Sequence, residues 1–324
     1  MGIRKQGAFH KGLFGLAGMA LLATAGCNEL GLGGNQTMQA GGGQVGDQEA
    51  QKKFNAYVKA MNMLIDSGKF EERVDYFERL NPQLKTNAPL TEMYMMNIGV
   101  DHIINQLDEA QKISVVIPGV DEKAKALVPV LTQLDAINTE LNAYVSAKEF
   151  TVDGGKKGRE IAPRYLAALA AAREAQQQFA DATAAYEQQR DQAALAKAGP
   201  DSLQFHRLTV TLAARAATRE FDRITAPGDD SSAFTASLTR LGKANATLAG
   251  FVGKAPKSGA GSLTPECQRY VDKINSMIGT GRTFAETLKS KPADVADDAK
   301  DFTEAFNDGV GEASDCALED NLSS

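Results

Sequence analysis

The sequence predicts an all-α protein: a bundle of long amphipathic helices with a C-terminal helical hairpin, after a disordered N-terminal linker. The first observation is that apolar residues recur every three or four positions through most of the chain after residue 49, as on one face of a helix. The second is that only one short run, Ile113–Val120, has a strand-like composition. It contains Pro118-Gly119 near its end and has no second strand to pair with, so we interpret it as a connector or a helix end.

The first 26 residues have the pattern of a secretory signal peptide. Three basic residues and no acidic residue stand near the start, and an apolar run from Leu13 to Ala23 follows. That run is as long as a signal-peptide core and too short to span a membrane, which needs ~20 apolar residues. The leader therefore predicts export.

Two cleavage sites compete at the end of the leader. Ala23-Thr24-Ala25 fits an ordinary signal peptidase site, and Thr24-Ala25-Gly26-Cys27 resembles a bacterial lipobox, where the cysteine is acylated and becomes the mature N-terminus. The chain has three cysteines, so a lipid on Cys27 leaves one pair and no odd thiol. We therefore predict lipidation of Cys27. Asn28 is not the Asp that usually retains Gram-negative lipoproteins at the inner membrane, which indicates an outer-membrane anchor facing the periplasm.

A flexible linker is predicted for residues 27–48, which are rich in glycine and polar residues.

The charge of the chain limits its partners. The formal charge is −6, and loss of the leader's Arg4, Lys5 and Lys11 leaves −9. Such an acidic chain lacks the basic surface that nucleic acid requires. The predicted partners are the membrane, through the lipid anchor, and another envelope protein.

Helix start and stop signals predict the domain organisation. A main helical domain is predicted for residues 49–253, a linker for 254–262, and a helical hairpin for 263–324. The predicted helices are 49–67, 70–80, 91–112, 121–150, 161–198, 202–223, 231–252, 265–289 and one from about 292.

The last two cysteines are predicted to clamp the hairpin. Cys267 lies in the first turn of one predicted helix and Cys316 near the end of the next, and the predicted helix break at Lys291-Pro292 lies midway between them. Two antiparallel helices folded about that break would bring the two thiols together. A disulfide there fits an oxidising compartment.

The sequence contains no signature of catalysis, of a cofactor site or of a metal site. His102 and His206 have no His, Cys, Asp or Glu three or four residues on, which excludes a local helical metal motif. We therefore predict a non-enzymatic protein with no cofactor. Arg207, Arg215 and Arg219 fall near one face of the predicted helix 202–223. They could clamp an anionic ligand or pair with carboxylates of neighbouring helices, and the second interpretation is favoured.

Three stretches carry a family resemblance. They are Phe54-Asn55-Ala56-Tyr57-Val58 with Asn62, Tyr144 to Asp153 followed by Gly158, and Phe205-His206. Together they resemble the YiiG-like family of bacterial lipoproteins, whose function is uncharacterised. The resemblance spans most of residues 48–223. It implies an all-helical periplasmic domain and no catalytic residue.

Three functions fit these features. The first is a non-enzymatic interaction or structural module of the cell envelope that binds another protein through its long helices. The second is a helical bundle that binds a solute or a lipid in an internal pocket. The third is a hydrolase whose site is assembled across helices, which would need a convergent cluster of His, Asp and Arg in a cleft. The sequence favours the first.

Overall fold

The computed structural model describes residues 43–226, 228–254, 265–290 and 294–318, and within these ranges the protein contains helices and no strand. The predicted all-α class is confirmed. The helices in chain order are α1 Gly43–Gly68, α2 Phe70–Leu80, α3 Asp101–Gln111, α4 Val120–Ser146, α5 Lys156–Lys197, α6 Leu203–Asp222, α7 Ser232–Val252, α8 Pro265–Ser290 and α9 Val295–Leu318. Short 3-10 turns occupy Pro82–Lys85 and Glu149–Thr151.

The predicted helix 91–112 is wrong in its first half, since α3 begins only at Asp101. Side chains from α4 and from the end of α2 take up the backbone hydrogen bonds of the segment before it. Asn81 exchanges two bonds with the backbone of Tyr94, at 2.7 and 2.8 Å, and Asn138 does the same with Ile98, at 3.1 and 3.3 Å. Because these partners satisfy the backbone groups, the segment needs no helix.

A buried arginine holds the same segment from another side. The Arg73 guanidinium donates to the carbonyls of Ser67 and Gly68 at the end of α1 and to those of Met96 and Asn97. Burial lowers the pKa of Arg73, and the four carbonyls replace the water that the cation has lost. Arg73 therefore ties an irregular segment to the junction of α1 and α2.

The strand-like run Ile113–Val120 forms no strand: residues 113–119 connect α3 to α4, and Val120 begins α4. Asp121 holds this connector in place. The Asp121 carboxylate accepts hydrogen bonds from Lys53 Nζ at 2.9 Å, from the Tyr57 hydroxyl at 2.7 Å and from Ile117 N at 3.1 Å. Lys53 also donates to Val115 O at 2.8 Å. Burial, and then the bond to Asp121, raise the pKa of Tyr57. The buried charges are therefore paired, as buried charges must be.

Helix α5 begins at Lys156, five residues before the predicted start at 161. Asp153 explains the early start, because its carboxylate accepts from Gly155 N at 2.7 Å and from Lys157 N at 2.9 Å, two groups that a helix start leaves without partners. The N–H of Lys157 is the main cause of the lowered pKa of Asp153. With 42 residues, α5 is ~63 Å long.

The described residues form two compact units, one of residues 43–186 and one from Glu187 onward. We call them the N-terminal unit and the C-terminal unit. The N-terminal unit contains α1 to α4 and most of α5, and aromatic pairs join α5 to the earlier helices. The ring centroids are 5.7 Å apart for Tyr57 and Phe179 and 5.2 Å apart for Phe77 and Tyr165.

The C-terminal unit is built on an antiparallel bundle of α6, α7, α8 and α9, in which successive helices are neighbours and α9 returns to α6. Ion pairs show the register of the last two helices. Lys273 pairs with Asp308 at 2.8 Å and Arg269 with Glu312 at 3.1 Å, so residue numbers fall on α8 as they rise on α9. The predicted C-terminal hairpin is therefore present.

Four phenylalanines close one end of this bundle. Each of the four helices contributes one ring, and the ring centroids lie 4.6 to 5.8 Å apart; the residues are Phe221, Phe234, Phe284 and Phe302. All four are almost fully buried. Aromatic pairs at these distances contribute ~0.5–1.5 kcal/mol each beyond the burial of their area. The hairpin is therefore an integral part of the bundle core.

The division into units differs from the predicted domains. It falls inside α5, whereas the predicted boundary was the linker 254–262, because α8 and α9 share one apolar core with α6 and α7. Residues 255–264, the leader, Cys27 and most of the predicted 27–48 linker lie outside the described residues. Helix α1 begins at Gly43, within the last residues of the range predicted as a linker. Extending an existing helix needs no new nucleus, so a few glycines do not prevent it.

Candidate functional site

The three arginines of the predicted anion-binding face all lie on α6, and two of them bond to α5. Arg215 Nη2 is 2.7 Å from Glu187 Oε1, and its Nη1 is 2.5 Å from Asp191 Oδ2. Arg219 Nη1 donates to Gln188 Oε1 at 2.9 Å. Arg215 therefore makes the ion pairs with a neighbouring helix that the sequence favoured over binding of a free anion.

The ion pairs of Arg215 are buried, and its one guanidinium faces two carboxylates. The side chains of Glu187 and Asp191 are 4% and 11% exposed and that of Arg215 is 12% exposed. Burial raises the pKa of Glu187, and the nearby Asp191 carboxylate adds to this, while Arg215 opposes it. The cluster fastens the end of α5 to α6, and its cation already holds two carboxylates.

A small cavity lies beside this cluster, and it is too small for a ligand. Its volume is about 10 Å³, and Thr211, Arg215 and Tyr270 line its polar side. The hydroxyl oxygens of Thr211 and Tyr270 are 3.1 Å apart, in hydrogen-bond distance of each other. A space of this volume holds one water molecule at most. The inside of the bundle is therefore a packed core at this point.

The two cysteines of the hairpin form a disulfide. The sulfurs of Cys267 and Cys316 are bonded, the Cα atoms are 4.5 Å apart, and both side chains are fully buried. The bond joins the start of α8 to the end of α9. The signal that predicted it was the number of cysteines together with their equal distance from the helix break.

An open groove of about 580 Å³ lies between α7 and α8 in the C-terminal unit. We call it the α7–α8 groove. Most of the side chains that line it are small, and the full set is Thr239, Gly242, Lys243, Ala246, Asn275, Ile278, Gly279 and Arg282. A groove with so little side-chain volume lets another backbone come close to both helices.

The groove is positively charged, although the protein as a whole is acidic. Lys243 lies on the α7 wall and Arg282 on the α8 wall, both exposed, and no carboxylate lines the groove. Helix α7 contains no Asp or Glu at all. Among the described residues, no carboxylate lies within ion-pair distance of either cation. The groove therefore attracts negative charge that the bundle itself does not supply.

Two glycines of the groove are not required by the fold. A Cβ atom at Gly279 would meet nothing within 4 Å, and one at Gly242 would meet only Ile278 Cδ1 at 3.9 Å, an ordinary contact. By contrast, a Cβ at Gly281 would lie 3.0 Å from Leu238 and 3.1 Å from Phe302. A glycine inside a helix costs roughly 0.5–1 kcal/mol relative to alanine. At Gly281 the tight packing requires a glycine in spite of that cost. At Gly242 and Gly279 packing within the bundle does not require one.

Sequence reasoning missed this groove, although part of its signal is visible. Gly242, Ala246 and Gly250 follow one another at intervals of four in a helix without carboxylates. That spacing places them in one row along the helix surface. Which helix lies beside the row, and that Arg282 faces it, depends on the packing of α7 against α8.

The described residues contain no group of three or more His, Cys, Asp or Glu side chains that could hold a metal ion. None of their helices combines the length and the apolar character needed to cross a membrane.

Comparison with known proteins identifies a family. A family model described as "Protein of unknown function (DUF3829)" matches residues 48–318. No curated protein and no solved structure matches the chain. Because the family model matches most of the chain, this protein belongs to the DUF3829 family of proteins of unknown function.

Proposed function

We propose that this protein is a lipid-anchored envelope protein of the outer membrane, that it faces the periplasm, and that its helical part is a non-enzymatic module that binds another protein. The leader that ends at Cys27, followed by Asn28, supports the anchor and its location. The buried disulfide between Cys267 and Cys316 supports export, since such bonds persist in oxidising compartments. The finer resemblance to YiiG-like lipoproteins agrees with both.

The α7–α8 groove is the observation that carries the protein-binding proposal. It is concave, and among the described residues its two cations have no ion-pair partner and two of its glycines make no contact that requires glycine. Such a surface suits a partner that brings its own backbone close to the two helices. The buried arginine cluster does not suit a partner, because its charges are already paired.

The anchor is tested by replacing its acyl acceptor. Cys27→Ser should abolish incorporation of labelled palmitate and leave an uncleaved precursor or a soluble species, because the thiol is the site of acylation. The double variant Cys267→Ser with Cys316→Ser is the matched control and should keep the label. Equal labelling of Cys27→Ser and the parent protein would refute the lipid anchor.

Partner binding is tested by photo-crosslinking in living cells. A photoreactive amino acid at Ala246, in the groove, should give a discrete adduct of higher mass. The same residue at Ala126, an exposed position on α4, is the control and should not give that adduct. Absence of any adduct from Ala246 would overturn the proposal that this groove binds a protein.

A further inference from the structure

We propose that the occupant of the α7–α8 groove is an amphipathic helix of another protein, with a carboxylate on each flank of its buried face. This inference rests on the proposed protein-binding function and names the class of partner. It follows from the shape of the groove, from the placement of its cations and from the surface of the bundle itself.

The shape of the groove indicates a helix. Two antiparallel helices form its walls, and a third helix can lie along the depression between them, as in helix-in-groove recognition. The lack of side chains at Gly242 and Gly279 lets that helix approach closely, and Ile278 offers an apolar contact at the base. An extended peptide would use backbone hydrogen bonds to an open sheet edge, and the described residues contain no strand.

The register of the walls specifies where the partner's charges should lie. Gly242 is opposite Ile278, and Leu238 is opposite Gly281, so Arg282 is level with a point near residue 238 on α7. Lys243 therefore lies on the other wall, about five residues further along the groove than Arg282. At 1.5 Å per residue, the distance between the two positions along the groove is ~7 Å.

A helix can match both cations with two carboxylates five positions apart. Five residues advance a helix by ~7 Å and turn it by ~140°, so the two side chains emerge on opposite flanks of one face. One would then meet Lys243 and the other Arg282. Glu or Asp at positions i and i+5, with small or apolar residues between them on the buried face, is the expected partner pattern.

A second copy of this chain is the obvious acidic alternative, because α9 carries many carboxylates. The exposed side chains described on α9 are charged or polar, such as Asp297, Asp301 and Asn307. Its large apolar side chains Val295, Phe302 and Phe306 are buried in the bundle. Asp308 is already paired with Lys273. The exposed face described for α9 therefore offers no large apolar side chain that could pack against Ile278 at the base of the groove.

The test combines the Ala246 photo-crosslink in the full-length, membrane-anchored protein with charge reversal. Mass spectrometry of the adduct should identify a partner helix with carboxylates at i and i+5. Lys243→Glu with Arg282→Glu should lower adduct yield about tenfold, because opposite charges become like charges. Lys52→Glu with Lys125→Glu changes the net charge equally at exposed positions outside the groove and should leave the yield unchanged. Reversing the two partner carboxylates to Lys should restore the adduct.

A second variant separates binding from folding. Gly279→Gln adds a side chain to the groove at a position where a Cβ atom meets nothing within 4 Å, so the protein should fold as before while the adduct disappears. An adduct that survives either the charge reversal or Gly279→Gln would overturn the acidic-helix inference. So would an adduct that maps to α9 of a second copy or to a segment without the carboxylate pair. In these cases protein binding itself would stand, whereas absence of all adducts would refute the proposed function as well.

Discussion

The disulfide between Cys267 and Cys316 should contribute most of its stabilisation by restricting the unfolded chain. The bond closes a loop whose ends are 49 residues apart in sequence. In the chain-entropy model this lowers the entropy of the unfolded state by ~14 cal/mol/K, which is ~4 kcal/mol at 25 °C. Replacing both cysteines by alanine should therefore lower the free energy of unfolding of the C-terminal unit by about 4 kcal/mol.

The native bundle should survive this replacement. The four packed phenylalanine rings and the ion pairs of Lys273 and Arg269 hold α8 and α9 together without the bond. Helix content in the absence of denaturant should therefore be nearly unchanged. The loss should appear only as a shift of the unfolding transition, since it acts through the unfolded state.

Urea denaturation of the mature protein, followed by circular dichroism at 222 nm, measures the effect. The two compact units can give two transitions. Only the transition of the C-terminal unit should shift, because the disulfide closes no loop in the N-terminal unit. Parent protein treated with a strong reductant should match the double alanine variant. A shift below ~1 kcal/mol, or loss of helix before any urea is added, would refute the loop-closure reasoning.

Three further predictions follow from the C-terminal unit. Gly279→Ala should raise the free energy of unfolding by ~0.5–1 kcal/mol. Gly281→Ala should lower it by about 1–2 kcal/mol, because the new methyl group meets packed side chains. Urea titration of both variants measures whether each free energy of unfolding rises or falls. Arg215→Met should cost about 3–5 kcal/mol, since it leaves two buried carboxylates without their cation, and the exposed Arg240→Met should cost far less in the same assay. Burial raises the pKa of Glu187 above its ordinary value of 4.5, so the folded protein binds more protons than the unfolded chain between the two pKa values. The contribution of Glu187 to stability is therefore fully present below pH 4.5 and is lost as the pH rises through the folded pKa. Glu187→Gln should therefore gain stability relative to the parent protein as the pH rises through that window, and a constant difference at every pH would contradict this.

The sequence alone determined the features that depend on short stretches of chain. The period of the apolar residues predicted the helices, because one turn of helix spans fewer than four residues and repeats within a short window. The number of cysteines and their distances from the predicted break at Lys291-Pro292 predicted the hairpin and its bond between Cys267 and Cys316. In each case the residues that carry the information lie in one helix or in two consecutive helices.

Tertiary structure decided what depends on partners far away in the chain. Tyr94 to Ile98 carry a helical pattern, yet Asn81 and Asn138 satisfy their backbone groups, and Asn138 lies 40 residues from Ile98. The basic groove needs Lys243 from one helix and Arg282 from the next, and its shape depends on how α7 packs on α8. Hydrophobic periodicity says which face of a helix is buried but not against which residues, so long-range polar partners and surface concavities appear only once the helices have packed.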